Sequence, residues 1–185
     1  MKWKGSVLAA TGVLFWGVAV TWGFSQGMKF ETTPGRAATD YPVDIGKSAK
    51  WRFVLIASTD CPCSVATLSG LRAAVDSHPD STVCEIVFIG EVNRNAPAYR
   101  IAGQIKNATI VEDKVGNVMR RYGAATSGQT FIYDPNGKLA YQGGLTAGRG
   151  VDDPRFAMEV YETVRTKNIK PYSPAYGCSL EGMTK

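Results

Sequence analysis

Apolar residues recur along this chain with two different periods. WRFVLIAST, residues 51–59, is a short run rich in β-formers, of the length expected for a buried strand. SVATLSGLRAAV follows closely, and its Val65, Leu68, Leu71 and Val75 fall three to four apart, which lines one face of a helix. The alternation continues: STVCEIVFIG (81–90) reads as a central strand, PAYRIAGQIK (97–106) as a helix over its face, and NATIVED as a short strand. VGNVMRRYGA reads as a helix that stops at Gly123. TFIYDPNGKLAYQGG is a β-hairpin, two alternating runs around the turn Asp134-Pro135-Asn136-Gly137. DPRFAMEVYETVRTKN closes the domain as an amphipathic helix, with Asp152 or Asp153 available to cap it ahead of Pro154. This order predicts an α/β fold with a mixed central sheet covered on both faces. Reactive groups of such sheets collect at the carboxyl edge, where WRFVLIAST ends.

The first residues carry a different pattern. Lys2 and Lys4 precede residues 6–24, which bear no charge and reach about the length needed to cross a bilayer, with Trp3 and Trp22 near the two ends. A cleaved secretory signal fits a charged start and an apolar run as well. The expected form is an uncleaved single-pass helix in the cytoplasmic (inner) membrane, with the C-terminal domain on the periplasmic or extracytoplasmic side, where disulfides persist. Residues 26–47, broken by Pro34, Gly35, Pro42 and Gly46, suit a spacer. The expected organisation is an anchor over 1–25, a linker over 26–47, a domain over 48–168 and a cysteine-containing tail over 169–185.

Composition adds bounds. A chain of 185 residues that is 44% hydrophobic can bury a core without disulfide staples, so its four cysteines are free for other work. The net charge of +5 is spread along the chain rather than clustered, which speaks against a nucleic-acid partner.

The chemistry concentrates at Thr59-Asp60-Cys61-Pro62-Cys63-Ser64, the strand-to-helix junction. Thiols at a helix N-terminus meet unpaired N–H groups and the positive end of the helix dipole, both of which favour the thiolate. Asp60 opposes a second negative charge there, or accepts the thiol proton. Thr59 and Ser64 can hydrogen-bond a thiolate or simply cap the helix. Cys84 lies inside an apolar strand and reads as a core residue. Cys178, in the aperiodic tail PYSPAYGCSL, either resolves a disulfide at Cys61 or Cys63 or staples the terminus. Arg149, in GGLTAGRG, is either a cation that lowers a thiol pKa or an exposed loop residue. His78 is the only histidine and reads as a turn residue, which leaves no Cys/His catalytic pair.

A strand ending in a cysteine motif, a helix and the late hairpin FIYDPNGKLAYQGG together resemble the thioredoxin-like superfamily over residues 48–168, especially its membrane-anchored bacterial thiol-disulfide oxidoreductases. Within it, TDCPCS, SGQTFIYDPNGKL, GGLTAGRG and YGCSL are similar to RedB-type proteins. The resemblance implies a thioredoxin-like α/β/α sandwich and a protein partner bearing a thiol or disulfide. Thioredoxins separate their two cysteines by two residues, whereas Cys61-Pro62-Cys63-Ser64 offers a C-x-C pair or a C-x-x-S half-motif. Their cis-proline position is matched here by Thr126-Ser127-Gly128-Gln129, where Gly128 permits close approach of a substrate backbone.

The expected mechanism has Cys61 attack a disulfide and Cys63 resolve it, with Cys178 as the alternative resolving group. No cofactor is implied, because the cysteines carry the electrons. Two other readings compete. Cys61, Cys63 and Cys178 form a Cu(I) site in a metallochaperone, or Thr59, one cysteine and Arg149 form a peroxiredoxin-like peroxidase.

Overall fold

The computed structural model describes residues 3–37, 43, 45–166 and 174–184, the side chains of residues 3–9 apart. Pro42 of the expected spacer, and Lys167 and Asn168 at the end of the expected closing helix, lie outside the described residues. The chain divides into two compact units, Met1–Thr33 and Pro34–Lys185.

The first unit is one helix, α1 (Trp3–Thr32), running through the expected anchor into the stretch expected as spacer. Val13, Leu14, Phe15 and Trp16 are successive and all exposed, so its apolar surface is not confined to one stripe. Among the described residues no helix is long and apolar enough to cross a membrane. Gly12, Gly17, Gly23 and Thr21 dilute the apolar run, and Ser25, Gln26, Lys29 and Glu31 follow it on the same helix. The side chains that open the expected span, residues 6–9, lie outside those described.

The second unit is built on a five-stranded sheet of order β3-β2-β1-β4-β5. β1 (Trp51–Ala57), β2 (Thr82–Ile89) and β3 (Ala108–Asp113) run parallel, while β4 (Gln129–Tyr133) pairs antiparallel with β1 and with β5 (Leu139–Gly143). β1 is central, and that placement explains its unbroken apolar run. Phe53, Leu55 and Ala57 face one core, and Val54 and Ile56 face the other.

The first core is closed by α2 (Cys63–Asp76), α3 (Pro97–Ala102) and α5 (Pro154–Arg165). α5 starts at the expected cap: the Asp153 carboxylate accepts the Arg155 N–H, and Pro154 occupies the first turn. The hairpin closes as expected, since Asp134 Oδ1 accepts N–H bonds from Asn136 and Lys138 at 2.9 and 3.0 Å. On the opposite face the cover is thinner. α4 (Asn117–Arg121) is a five-residue turn held by the buried Asp113 carboxylate, which accepts the N–H groups of Asn117 and Met119 at 2.8 and 2.9 Å. Tyr122, Ala124 and, from the C-terminal tail, Leu180 complete that core.

Candidate active site

β1 ends at Ala57, and the chain turns through Ser58-Thr59-Asp60 before α2 begins at Cys63 with Pro62 as N-cap. Cys61 N–H donates back to the Ser58 carbonyl at 3.4 Å, and Ser64 N–H to the Cys61 carbonyl at 3.0 Å. The turn therefore holds Cys61 under the first turn of α2, where its side chain is only 1% exposed. Cys63 opens the helix and is 8% exposed, whereas Pro62 faces solvent.

Opposite this turn lies the loop from Ala124 to Gly128 that leads into β4. Gly128 anchors it, its N–H donating to the Ile56 carbonyl at 2.8 Å. Its φ is +94°, a backbone conformation that glycine adopts without strain, and an added Cβ would sit 3.0 Å from Thr67 Oγ1. Gln129 Oε1 accepts from the N–H groups of Ala125 and Thr126 at 2.7 and 3.0 Å. Between loop and turn lies a hydroxyl network. Ser127 Oγ accepts the Ser58 N–H at 3.0 Å and meets Ser64 Oγ at 3.0 Å, while Ser64 donates to the Ser58 carbonyl at 2.7 Å.

The tail completes the site. Residues 174–184 fold back so that Ser127 N–H donates to the Cys178 carbonyl at 2.8 Å and Leu180 N–H to the Ala125 carbonyl at 2.9 Å. Thr126 and Ser179 form an antiparallel bridge between them. This pairing sets the Cys178 sulfur 2.7 Å from that of Cys61, and Cys178 N–H points at the Cys61 sulfur at 3.3 Å. All four cysteines are free thiols. Arg149 donates from its guanidinium to the Gly177 carbonyl, which fastens the tail next to the thiols.

Electrostatics distinguishes the three thiols. Burial pushes the Cys61 thiol up, but the Cys178 thiol, the N–H groups of Cys178 and Cys63, and the Ser127 hydroxyl outweigh it and hold Cys61 below the ordinary thiol range. Cys63 moves the other way, raised by burial, by the Cys61 charge and by contact with the Cys61 thiol, against the Arg149 cation and the Gly150 N–H. Cys178 is pushed up to about 12 by burial, by its bond to Cys61 and by the charges of Cys61 and Cys63, with Arg149 again opposing. Of the three, the surroundings favour ionisation of Cys61 and disfavour it at Cys63 and Cys178.

The remaining expected site residues sort by place. Ser64 joins the hydroxyl network and makes no helix cap. Thr59 Oγ1 accepts the Asn93 N–H at 3.1 Å, tying down the loop after β2. Asp60 is exposed and lines a cavity of about 380 Å³ with Ser58, Glu91, Lys114, Val115 and Met183. Cys84 lies in the first core. His78 stacks edge-on against Tyr161 with centroids 5.6 Å apart and pairs with Glu162 at 3.3 Å, both packing roles. Among the described residues no three His, Cys, Asp or Glu side chains are grouped to hold a metal ion. Sequence reasoning passed over Ser127. Its signal was a hydroxyl residue next to Gly128 in the loop that faces the cysteine turn.

No model of a protein family and no curated protein matches this chain. Solved structures do. A hypothetical protein from Sinorhizobium meliloti is 18% identical, with a TM-score of 0.59 over 80% of this chain and 94% of its own. An uncharacterised conserved protein from Geobacillus kaustophilus is 16% identical, with a TM-score of 0.58 over 81% of this chain and 93% of its own. A secreted disulfide oxidoreductase from Mycobacterium tuberculosis is 15% identical, with a TM-score of 0.46 over 64% of this chain and 83% of its own. Three parallel strands joined to an antiparallel hairpin at the central strand decide the architecture. The fold is thioredoxin-like.

Proposed function

We propose that this chain is a thiol-disulfide oxidoreductase in which Cys61 is the nucleophile and Cys178 the resolving thiol. The observation that carries the reading is the 2.7 Å separation of those two sulfurs, reached through a backbone-paired tail and attended by a lowered Cys61 pKa. Cys61 thiolate attacks a disulfide of a protein or small molecule, forms a mixed disulfide and expels the other sulfur as a thiolate. Cys178 then attacks the Cys61 sulfur, and the substrate leaves as a dithiol. The two electrons come from the cysteine pair, so no further cofactor enters. Cys63 sits beside the pair, its thiol pKa raised by burial and by the Cys61 charge.

The short strings TDCPCS, GGLTAGRG and YGCSL support a RedB-type assignment within the superfamily. The all-round apolar surface of α1 and the two early lysines support an anchor in the cytoplasmic membrane, with the thiol domain outside the cytoplasm.

Disulfide mapping and insulin reduction test the mechanism together. Cys61→Ser abolishes turnover, and Cys178→Ser halts at a mixed disulfide on Cys61. Full turnover by Cys61→Ser overturns the nucleophile; full turnover by Cys178→Ser, with loss in Cys63→Ser, transfers the resolving role to Cys63.

A further inference from the structure

Residues at and just beyond the carboxyl ends of β1, β2 and β3 enclose a cavity of about 380 Å³ that the thiol chemistry above leaves without a role. Ligands of open α/β sheets collect at this edge. Ser58 and Asp60, from the turn that carries Cys61, form one side of the cavity, and Met183, from the tail that carries Cys178, forms another. The tail sits close here, since a Cβ on Gly90 would collide with the Met183 carbonyl. Three charged side chains, Asp60, Glu91 and Lys114, line the same cavity, and all three are exposed. None of them is joined to another described side chain by an ion pair or hydrogen bond. Two negative charges and one positive, beside the apolar Val115 and Met183, are complementary to a small ligand that carries an ammonium, a carboxylate and a short apolar stem.

We propose that the cavity receives the α-amino-acid headgroup of a small disulfide, its ammonium drawn to Asp60 and Glu91 and its carboxylate to Lys114, and so selects disulfides built from cysteine. The proposal rests on the oxidoreductase reading above and names its substrate class. Cystine and glutathione disulfide both carry this headgroup, the second on its γ-glutamyl arm. With the headgroup seated, the Cys61 thiolate attacks the sulfur of that half. The Cys61–substrate bond forms as the S–S bond of the substrate breaks, and the other half leaves as a thiolate. Cys178 then attacks the Cys61 sulfur, and the Cys61–Cys178 bond forms as the bond to the seated half breaks. Both halves depart as thiols, carrying the two electrons and the two protons that Cys61 and Cys178 give up.

The test uses the full chain in its reduced form and a set of disulfides that differ by one group at a time: cystine, cystamine without the carboxylate, dithiodipropionate without the ammonium, and hydroxyethyl disulfide with neither. Glutathione disulfide completes the set. The rate of Cys61–Cys178 bond formation, read by alkylation quench and peptide mass spectrometry, is divided by the rate at which dithiothreitol reduces the same compound, which removes differences in intrinsic reactivity. On the wild-type chain, a comparison that needs no folded variant, the normalised rate for cystine exceeds those for cystamine and dithiodipropionate about threefold to fivefold, the scale of an exposed ion pair. The preference shrinks in about 1 M salt, which screens exposed charges. Lys114→Met removes the advantage of cystine over cystamine, and Glu91→Gln reduces its advantage over dithiodipropionate. A rate for glutathione disulfide above that for cystine, lost in Lys114→Met, assigns the headgroup to the γ-glutamyl arm rather than to the free amino acid. Equal normalised rates across the whole set, or preferences that persist in both variants, overturn the headgroup site and leave the thiol chemistry standing. If no member of the set, the uncharged one included, drives the chain to the Cys61–Cys178 bond, the oxidoreductase reading fails instead.

Discussion

Cys84 offers a quantitative check that the four thiols divide into a reactive cluster and a packing residue. It is 4% exposed in β2, and burial, with the negative charge of Asp76, pushes its thiol up to about 12 from an ordinary 9.0. The folded pKa is raised, so the folded state keeps the proton that the unfolded chain has already released. Stability is thus intact below pH 9 and declines between pH 9 and 12 as the unfolded thiol ionises. Those two values give a loss of about 1 kcal/mol at pH 10 and about 3 kcal/mol at pH 11 from this one group. Cys84→Ala removes that loss, while the lost packing costs roughly 1 kcal/mol at neutral pH. The two stability curves therefore cross near pH 10, with the variant weaker at pH 7 and stronger at pH 11. Urea unfolding followed by tryptophan fluorescence at pH 7, 9, 10 and 11, under a non-thiol reductant, reads the crossing. Cys178, also raised, steepens the alkaline decline in both proteins and cancels in the comparison. Parallel curves from pH 8 to 11 refute the burial argument, and loss of disulfide reduction in Cys84→Ala places that thiol in the redox set.

Two further predictions concern hydrogen bonds that bracket the site. Ser127→Ala removes a hydroxyl that lowers the Cys61 pKa, so the pH midpoint of Cys61 alkylation by iodoacetamide, read by peptide mass spectrometry, shifts upward; an unchanged midpoint removes Ser127 from the thiolate's environment. Asp113→Ala strips the carboxylate from the N–H groups of Asn117 and Met119 and costs about 1–3 kcal/mol in urea unfolding. A loss below about 0.5 kcal/mol shows that water replaces the cap.

Local signals carried far along this chain. The unbroken apolar run of β1, the Asp134 turn, the Asp153-Pro154 start of α5 and the placing of Cys61 and Cys63 at a strand-to-helix junction were all legible. Each depends on torsional preference, capping or burial within a few residues, so the residues themselves carry the information. α4 was legible as a helix near Gly116 to Gly123, but not its support, because Asp113 looks like an ordinary strand end until its carboxylate meets the N–H groups that follow.

The site was half legible, and the missing half is long-range. Cys178 lies 117 residues from Cys61, and cysteine spacing does not encode connectivity. What brings them together is the tertiary fit of the tail: Leu180 filling the second core, Gly177 clearing the Ser127 carbonyl, and two backbone bonds to the 125–127 loop. The same holds for Ser127, whose hydroxyl gains a role only when the loop before β4 closes over the turn after β1. By itself the sequence determined the α/β alternation, the candidate thiols and the junction that holds two of them. Only the folded chain decided which thiol faces which, because that choice depends on burial and backbone pairing summed over segments that have no local claim on each other.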